Sequence, residues 1–194
     1  MKTGEGNSKK RSDLFNLLNK FITHISQLLM ENTTTKATSA NELLQARKNS
    51  FLEFSGIEHR LELVAEINGT EYINDSKATD FTTSLFSLSC MIKPVIWIVG
   101  VSEIKEDYSV FSELVKEKVK AIISLGKNKE KNVESLKKDV RFFSHVSSVE
   151  DAVEAASAFA GGEDVILFSP ACPSFEMFEN YKQRGECFRK AVKR

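Results

Sequence analysis

From residue 75 onward the sequence alternates strand-like runs with helical patterns, and this alternation constrains the fold more than any other feature. Strands are predicted for four runs: 94–99, 119–125, 140–144 and 164–168. Helices are predicted near five stretches: 80–91, 107–118, 129–138, 148–160 and 174–192. Strands that are apolar almost throughout are typical of sheets covered by helices on both faces. The pattern predicts an α/β domain with a Rossmann-like, mostly parallel sheet and right-handed crossovers.

A β-hairpin is predicted just before this alternation. Leu61–Ile67 and Thr70–Asn74 have strand character, and Asn68-Gly69 lies between them. Asn-Gly is the dipeptide that favours a type I′ turn, because both turn residues need positive φ. The hairpin should therefore extend the parallel sheet at one end.

The first 54 residues have a different character. Residues 1–11 are polar and basic and predict a disordered tail, whereas residues 12–30 carry an apolar stripe at helical spacing. A second helix is predicted from about residue 40 to residue 54. The expected organisation is a tail at 1–11, a helical segment at 12–54 and an α/β domain at 55–194. The stripe at 12–30 needs a partner surface.

Composition excludes several functional classes. Lys plus Arg and Asp plus Glu are both 27, so the net charge of zero argues against a nucleic-acid-binding face. The three cysteines show neither C-x-x-C nor zinc-ligand spacing, so no metal site or disulfide framework is predicted. Polar residues interrupt the first apolar stretch, so neither a membrane span nor an export signal is predicted. We expect a cytoplasmic protein.

The loop Asn74–Asp80 is the first candidate site. In open α/β sheets, ligands bind at the carboxyl ends of the strands. Lys77 would neutralise an anion there, Thr79 and the backbone N–H groups of the next helix would face a phosphate or carboxylate, and Asp75 could accept bonds from a ribose or a metal-bound water. The alternative is that Asp75, Thr79 and Asp80 only cap the helix.

The loop after the last strand repeats this arrangement, with Ser169 and Ser174 as neutral donors near a helix start. The alternative is that Ser174 is merely an N-cap. Cys172 is predicted to be a small buried residue rather than a nucleophile, since no histidine is near it in sequence. Arg60 could reach a phosphate from the sheet end, or be solvated or salt-bridged. Gly126-Lys127 lacks the other residues of a P-loop.

Several segments together resemble the C-terminal domain of the D-glutamate-adding branch of the Mur ligase family. The matching segments, over residue 55 to the end, are His59-Arg60, Ile73–Thr79, Val95–Gly100, Ser169–Ser174 and Phe178–Gly185. More weakly, residues 32–54 look like the last helix of the family's central domain. The resemblance requires the loops at 74–80 and 169–174 to meet at one rim, with Lys77 and Ser174 on the same side of the molecule.

The resemblance implies peptidoglycan precursor synthesis. Such an enzyme uses ATP and Mg²⁺ to convert the carboxylate of UDP-N-acetylmuramoyl-L-alanine to an acyl phosphate, which the amine of D-glutamate attacks. It further implies that Arg60 and Asp75 contact the nucleotide, with Lys77 the catalytic candidate. The residues that would hold D-glutamate are Lys77, Thr79, Ser174, Phe175 through its backbone, and Tyr181.

The sequence also departs from the family. It contains no P-loop and no UDP-substrate domain, so the chain is expected to be inactive alone and to need a complementing ligase domain. Ile104 stands where a substrate-binding lysine is expected, with Lys105 next to it, while Asp80 and Thr35 replace expected asparagines. The alternative hypothesis is a non-catalytic, Rossmann-like binding or regulatory module that docks through the 12–30 helix.

Overall fold

The computed structural model describes residues 57–101, 107–127 and 131–194. The predicted tail at 1–11 and the helical segment at 12–54, with its docking role, lie outside these residues. Thr35, Ile104 and Lys105 lie outside them as well.

In the described part of the chain, six strands form one sheet in the order β1-β2-β6-β3-β4-β5. All neighbouring strands are parallel except the β1–β2 pair, which is antiparallel. This confirms the predicted α/β class and its mostly parallel sheet. The strands are β1 Glu62–Ile67, β2 Thr70–Asn74, β3 Val95–Gly100, β4 Val119–Leu125, β5 Phe142–Val146 and β6 Val165–Phe168.

The hairpin of β1 and β2 has the predicted turn. Asn68 has φ 51° and Gly69 has φ 81°, so both residues occupy the left-handed region that a type I′ turn requires. The carbonyl of Gly69 accepts a hydrogen bond from the N–H of Glu163 at 3.1 Å, which ties the turn to the segment before β6. The Asn-Gly signal therefore predicted the turn type, while a bulge between Leu63 and Ala65 shifts the register further along β1.

The helices follow the predicted order, with three corrections to their bounds. The predicted 107–118 helix is a 3₁₀ turn followed by a short α-helix. The predicted 129–138 helix is one short α-helix followed by a 3₁₀ turn, and the predicted 174–192 helix begins only at Tyr181. Ser174 is therefore not the N-cap of that helix; Asn180 is, because its side chain accepts the Gln183 N–H at 2.9 Å. The α-helices are α1 Phe81–Ser89, α2 Ser112–Lys118, α3 Lys131–Glu134, α4 Val149–Phe159 and α5 Tyr181–Val192; 3₁₀ turns span Tyr108–Phe111 and Ser135–Asp139.

Helices cover both faces of the sheet, as predicted. Alternate residues of β3 face opposite layers: Trp97 lies in the layer that includes residues of α1 and α2, while Ile98 lies in the layer that includes residues of α4 and α5. Phe168 of β6 stacks on Phe188 of α5 with ring centroids 4.8 Å apart. Each such buried side chain contributes roughly 1.5–3 kcal/mol of transfer free energy. This double burial is why the strands lack polar alternation.

None of the helices in the described ranges has the length and apolar character needed to cross a bilayer.

Candidate functional site

The β2–α1 loop leaves the sheet at Asn74 and runs largely buried to the start of α1. Asn74, Asp75 and Ser76 are fully buried, and Lys77 and Thr79 are half-buried. The helix cap is Asp80, whose carboxylate accepts the Thr83 N–H at 2.9 Å. The capping alternative is confirmed for Asp80 and is wrong for Asp75, whose side chain points elsewhere.

Asp75 joins three separate segments inside the domain. Its Oδ1 accepts the Leu61 N–H at 3.2 Å, and its Oδ2 accepts the Ser169 hydroxyl at 2.8 Å. Burial raises the pKa of Asp75 to about 6, although these hydrogen bonds and the positive charge of Arg60 lower it in part. The carboxylate therefore links the two candidate loops but is withdrawn from solvent in this conformation.

The β6–α5 loop is fixed against the ends of β3 and β6. The indole Nε1 of Trp97 donates to the Ser169 carbonyl at 2.7 Å, and the Gly100 N–H donates to the Pro170 carbonyl at 2.8 Å. Cys172 is buried, as predicted, and its Sγ lies only 2.3 Å from where a Cβ on Gly100 would be. Glycine at residue 100 lets this loop approach the sheet.

Arg184 of α5 connects the two loops directly. Its Nη2 donates to the Ser76 carbonyl at 2.9 Å and its Nε to the Ser76 hydroxyl at 3.1 Å. Its Nη1 donates to the carbonyls of Cys172 at 3.0 Å and Pro173 at 3.3 Å. No role was predicted for Arg184 from the sequence. The sequence signal that could have indicated it is the glycine next to Arg184 inside a predicted helix. Glycine lowers helix stability, so its presence there indicates a place where another segment packs closely.

That glycine, Gly185, packs against His59. A Cβ at residue 185 would lie 2.4 Å from His59 Nδ1, and the Gly185 carbonyl accepts the Asn74 amide at 3.2 Å. The carbonyl of His59 in turn accepts the Lys77 N–H at 3.0 Å. The segment before β1, the β2–α1 loop and α5 thus form one packed unit beneath the candidate site.

Glu58, His59 and Glu186 place a nitrogen and two carboxylate oxygens within 4.8 Å of one another, but they do not suit a metal. The Asn74 amide nitrogen lies 2.9 Å from His59 Nδ1 and can only donate, so Nδ1 accepts and the ring proton is assigned to Nε2. Glu186 already pairs with Arg189. Burial, followed by the charge of Arg189, lowers the pKa of His59. A neutral ring with Nε2 protonated cannot ligate through that atom.

A shallow, open cleft lies at the carboxyl ends of β3, β4 and β6. Ser174 and Arg184, at 4% and 3% exposure, belong to its wall. The lining residues are Gly100, Val101, Leu125, Pro170, Cys172, Pro173, Ser174, Glu176, Met177, Phe178 and Arg184. The β6–α5 loop, α5 and the ends of β3 and β4 supply this lining, whereas Lys77 and Thr79 do not belong to it.

The other predicted site residues are arranged unevenly around the loops. The Nζ of Lys77 lies 5.5 Å from the centroid of the Tyr181 ring, so these two predicted residues are neighbours. The Ser76 hydroxyl donates to the Tyr181 carbonyl at 2.8 Å, and Arg184 links Ser76 to the segment before Ser174. Thr79 lies half-buried in the same loop as Lys77. The side chain of Phe175 is 78% exposed, and the role predicted for its backbone stays a prediction.

Residues 59–172, more than half of the chain, match the model of one protein family, described as Mur ligase, glutamate ligase domain. The chain belongs to the Mur ligase family. This Mur ligase chain is 41% identical over 161 residues to the UDP-N-acetylmuramoylalanine–D-glutamate ligase of Christiangramia forsetii, covering 81% of this chain and 36% of that protein. It is 39% identical over 167 residues to the ligase of the same name from Chloroherpeton thalassium, covering 83% and 35%.

The chain thus spans about a third of the length of the curated Mur ligase relatives it matches. Among solved structures, the murein peptide ligase mpl from Psychrobacter arcticus 273-4 is 15% identical with a TM-score of 0.47, covering 70% of this chain and 30% of that one. The family membership rests on the sequence matches.

Proposed function

We propose that this chain supplies the D-glutamate-binding domain of an ATP-dependent ligase that joins D-glutamate to UDP-N-acetylmuramoyl-L-alanine. The observation that carries the proposal is the junction of the β2–α1 and β6–α5 loops, which Asp75 and Arg184 hold together beside one cleft. The names of the relatives support D-glutamate as the amino acid.

The proposed roles follow from the placement of each side chain. Lys77 and Thr79, on one loop, and Ser174, on the other, would bind the carboxylates of D-glutamate, with Tyr181 orienting the Lys77 ammonium from its ring face. The backbone of Phe175 would supply a further donor. A site of this kind acts by positioning and charge neutralisation, so it needs no covalent protein nucleophile. Lys77 is then the catalytic candidate, because it would hold the amino acid whose amine reacts.

The nucleotide part of the proposal fits Arg60 better than Asp75. Arg60 is half-buried at the end of the sheet, and its positive charge acts on Asp75. Asp75 is fully buried and both its oxygens already accept hydrogen bonds, so it would reach a ribose only if the Leu61 segment moved. In the family, ATP with Mg²⁺ provides the phosphoryl group that converts the substrate carboxylate to an acyl phosphate. We propose that a complementing ligase domain would hold its phosphates, because this sequence contains no P-loop.

Binding of D-glutamate to the 194-residue chain tests the proposal directly. Backbone amide signals of ¹⁵N-labelled protein should shift on titration with D-glutamate, chiefly in residues 76–79, 172–176 and 181. L-Glutamate should produce shifts at least about fivefold smaller at the same concentration, since each misplaced group costs on the order of 1 kcal/mol. Shifts that are absent, or equal for the two enantiomers, would contradict the proposal.

Lys77→Gln provides the matched loss of function, and Lys137→Gln provides its control. Lys77→Gln removes one cation from the proposed site and should weaken D-glutamate binding about tenfold. Lys137 is exposed on the 3₁₀ turn Ser135–Asp139, so Lys137→Gln changes the net charge equally and should leave binding unchanged. Phosphate release with ATP, the UDP-linked substrate and D-glutamate should be absent for the chain alone.

A further inference from the structure

We propose that Arg184 is a positioning residue that locks the two substrate loops together and makes the adjoining cleft selective for an anionic amino acid. This inference rests on the proposed D-glutamate site and adds a residue to it that neither the family resemblance nor the sequence analysis assigned. The role proposed for Arg184 is to set the preference for an anionic over an uncharged ligand, and not to contact the ligand directly.

The hydrogen bonds of the Arg184 guanidinium are divided between the two loops. Arg184 donates to Ser76 on the β2–α1 loop and to Cys172 and Pro173 on the β6–α5 loop, and all of these acceptors are uncharged. The planar fork therefore fixes the distance between the loops that carry Lys77 and Ser174. A lysine cannot reproduce this arrangement, because its donors share one nitrogen, whereas Arg184 spans the two loops with donors on three nitrogens held in one plane.

Arg184 also brings a positive charge to the wall of the cleft. Arg184 is 3% exposed, and none of the carboxylates among the described residues forms an ion pair with it. An arginine stays protonated at physiological pH, so its wall of the cleft keeps a positive charge; the Asp75 carboxylate acts on that charge through space, without a direct ion pair. The acidic side chain in the lining is that of the exposed Glu176. A buried cation attracts an anion more strongly than a solvated one, because the surrounding dielectric is low.

Arg184 also determines the direction of one backbone donor, the Ser174 N–H. In a trans peptide the C=O and the following N–H point in opposite directions. Because Arg184 holds the Pro173 carbonyl, the Ser174 N–H is directed away from the guanidinium, and it has no acceptor among the described residues. Arg184 thereby orients one N–H donor of the loop in addition to setting the potential of the cleft.

The experiment compares D-glutamate with D-glutamine, which has the same length but an uncharged side chain. Affinities are measured by amide shift titration for the 194-residue chain and for the variants Arg184→Lys, Arg184→Gln and Arg189→Gln. Arg189 lies on the same helix and pairs with Glu62 and Glu186, outside the cleft lining, so Arg189→Gln is the matched charge control.

We expect the unmodified chain to prefer D-glutamate about tenfold or more, as for a charge-assisted contact. Arg184→Lys should weaken both ligands while the preference remains, because the charge stays but the loop bonds are lost. Arg184→Gln should reduce the preference to about twofold or less, and Arg189→Gln should keep it. A residue with only a structural role would alter both ligands equally in both Arg184 variants, and that result would overturn the proposal.

One measurement on the unmodified chain covers the case in which the variants do not fold. The Nε–H of Arg184, bonded to Ser76 Oγ, should give a side-chain signal that shifts more with D-glutamate than with D-glutamine. An unchanged Arg184 signal alongside shifted loop amides would overturn the role of Arg184 and leave the proposed function standing. If neither ligand binds the unmodified chain, both proposals are wrong.

Discussion

The hydroxyl of Ser169 donates to Asp75 Oδ2 at 2.8 Å and joins residues that are 94 positions apart in the sequence. Each residue directly follows a strand, β2 or β6, and these strands are parallel neighbours. The same hydroxyl lies 2.9 Å from Ser84 Oγ on α1, so the bond also ties the first helix to the junction. The two candidate loops therefore meet through a buried ionisable group.

Asp75 should make stability depend on pH in the acid range. Its pKa is about 6 in the folded protein against 3.8 for an ordinary aspartate, so between these values the folded state holds a proton that the unfolded state releases. The free energy of unfolding should therefore fall as pH rises from about 4 to 6, by roughly 3 kcal/mol at 1.4 kcal/mol per pH unit.

Asp75→Asn isolates this contribution, since the amide cannot titrate and keeps an oxygen for the Leu61 N–H. Urea unfolding at intervals from pH 4 to pH 7 should show a flatter profile for Asp75→Asn than for the unmodified chain. The difference removes the contributions of other groups, including His59, whose lowered pKa acts in the opposite direction. Parallel profiles for the two proteins would show that Asp75 does not titrate in this range.

Gly185→Ala should destabilise the fold although alanine favours helices. The new Cβ would lie 2.4 Å from His59 Nδ1 and 2.6 Å from its Cγ, and His59 is fully buried, so the ring cannot move aside freely. Overpacking of this kind costs about 1–3 kcal/mol. Gly161→Ala is the control, because the nearest atom to its Cβ would be Asp164 Oδ2 at an ordinary 3.6 Å. Thermal unfolding should show a loss for Gly185→Ala and little change for Gly161→Ala.

The sequence predicted those parts of the fold that depend on local pattern. The hairpin followed from Asn68-Gly69, and the strand positions followed from apolar runs, because a doubly covered sheet leaves few polar residues in its strands. The late start of α5 was missed, because residues 174–180 read as helical and the cap is Asn180 rather than Ser174. A side chain that caps a helix depends on backbone geometry that residue type alone does not fix.

The positions of the two candidate loops could be predicted from the sequence, but the contacts between them could not. The carboxyl-end rule located both loops, and they do meet. The burial of Asp75 and the bridging role of Arg184 depend on long-range packing between segments about 100 residues apart. No local pattern encodes which of several polar side chains turns inward, and so the internal bonds of Asp75, which was predicted as a nucleotide contact, were not foreseen.

Gly100→Ala should disturb the β6–α5 loop, and loss of the Cys172 sulfur should relieve part of the damage. The new Cβ would lie 2.3 Å from Cys172 Sγ and 3.1 Å from the Pro170 carbonyl. We expect Gly100→Ala to cost about 1–3 kcal/mol. Combined with Cys172→Ala, it should cost less than the sum of the two single changes, because only the Pro170 contact stays tight. Strictly additive free energies of unfolding would contradict the contact between residue 100 and the thiol.

Ser169→Ala should destabilise the domain more at pH 7 than at pH 5. At pH 7 the Asp75 carboxylate is mainly ionised, and removal of the hydroxyl leaves Oδ2 without its donor, a loss of about 1–3 kcal/mol. At pH 5 the carboxyl group is mostly protonated and needs that donor less. Loss of the donor also raises the pKa of Asp75 further, and so the pH profile of stability should steepen.

Trp97 provides the readout for this change. It is the single tryptophan of the chain, it is fully buried, and its indole donates to the Ser169 carbonyl, so its fluorescence follows unfolding of the sheet beneath the site. Ser84→Ala is the comparison, because it removes a contact of the Ser169 hydroxyl but leaves the bond to Asp75. Ser84→Ala should therefore shift the urea midpoint by a similar amount at both pH values. If Ser169→Ala did the same, the hydroxyl would not stabilise the ionised carboxylate.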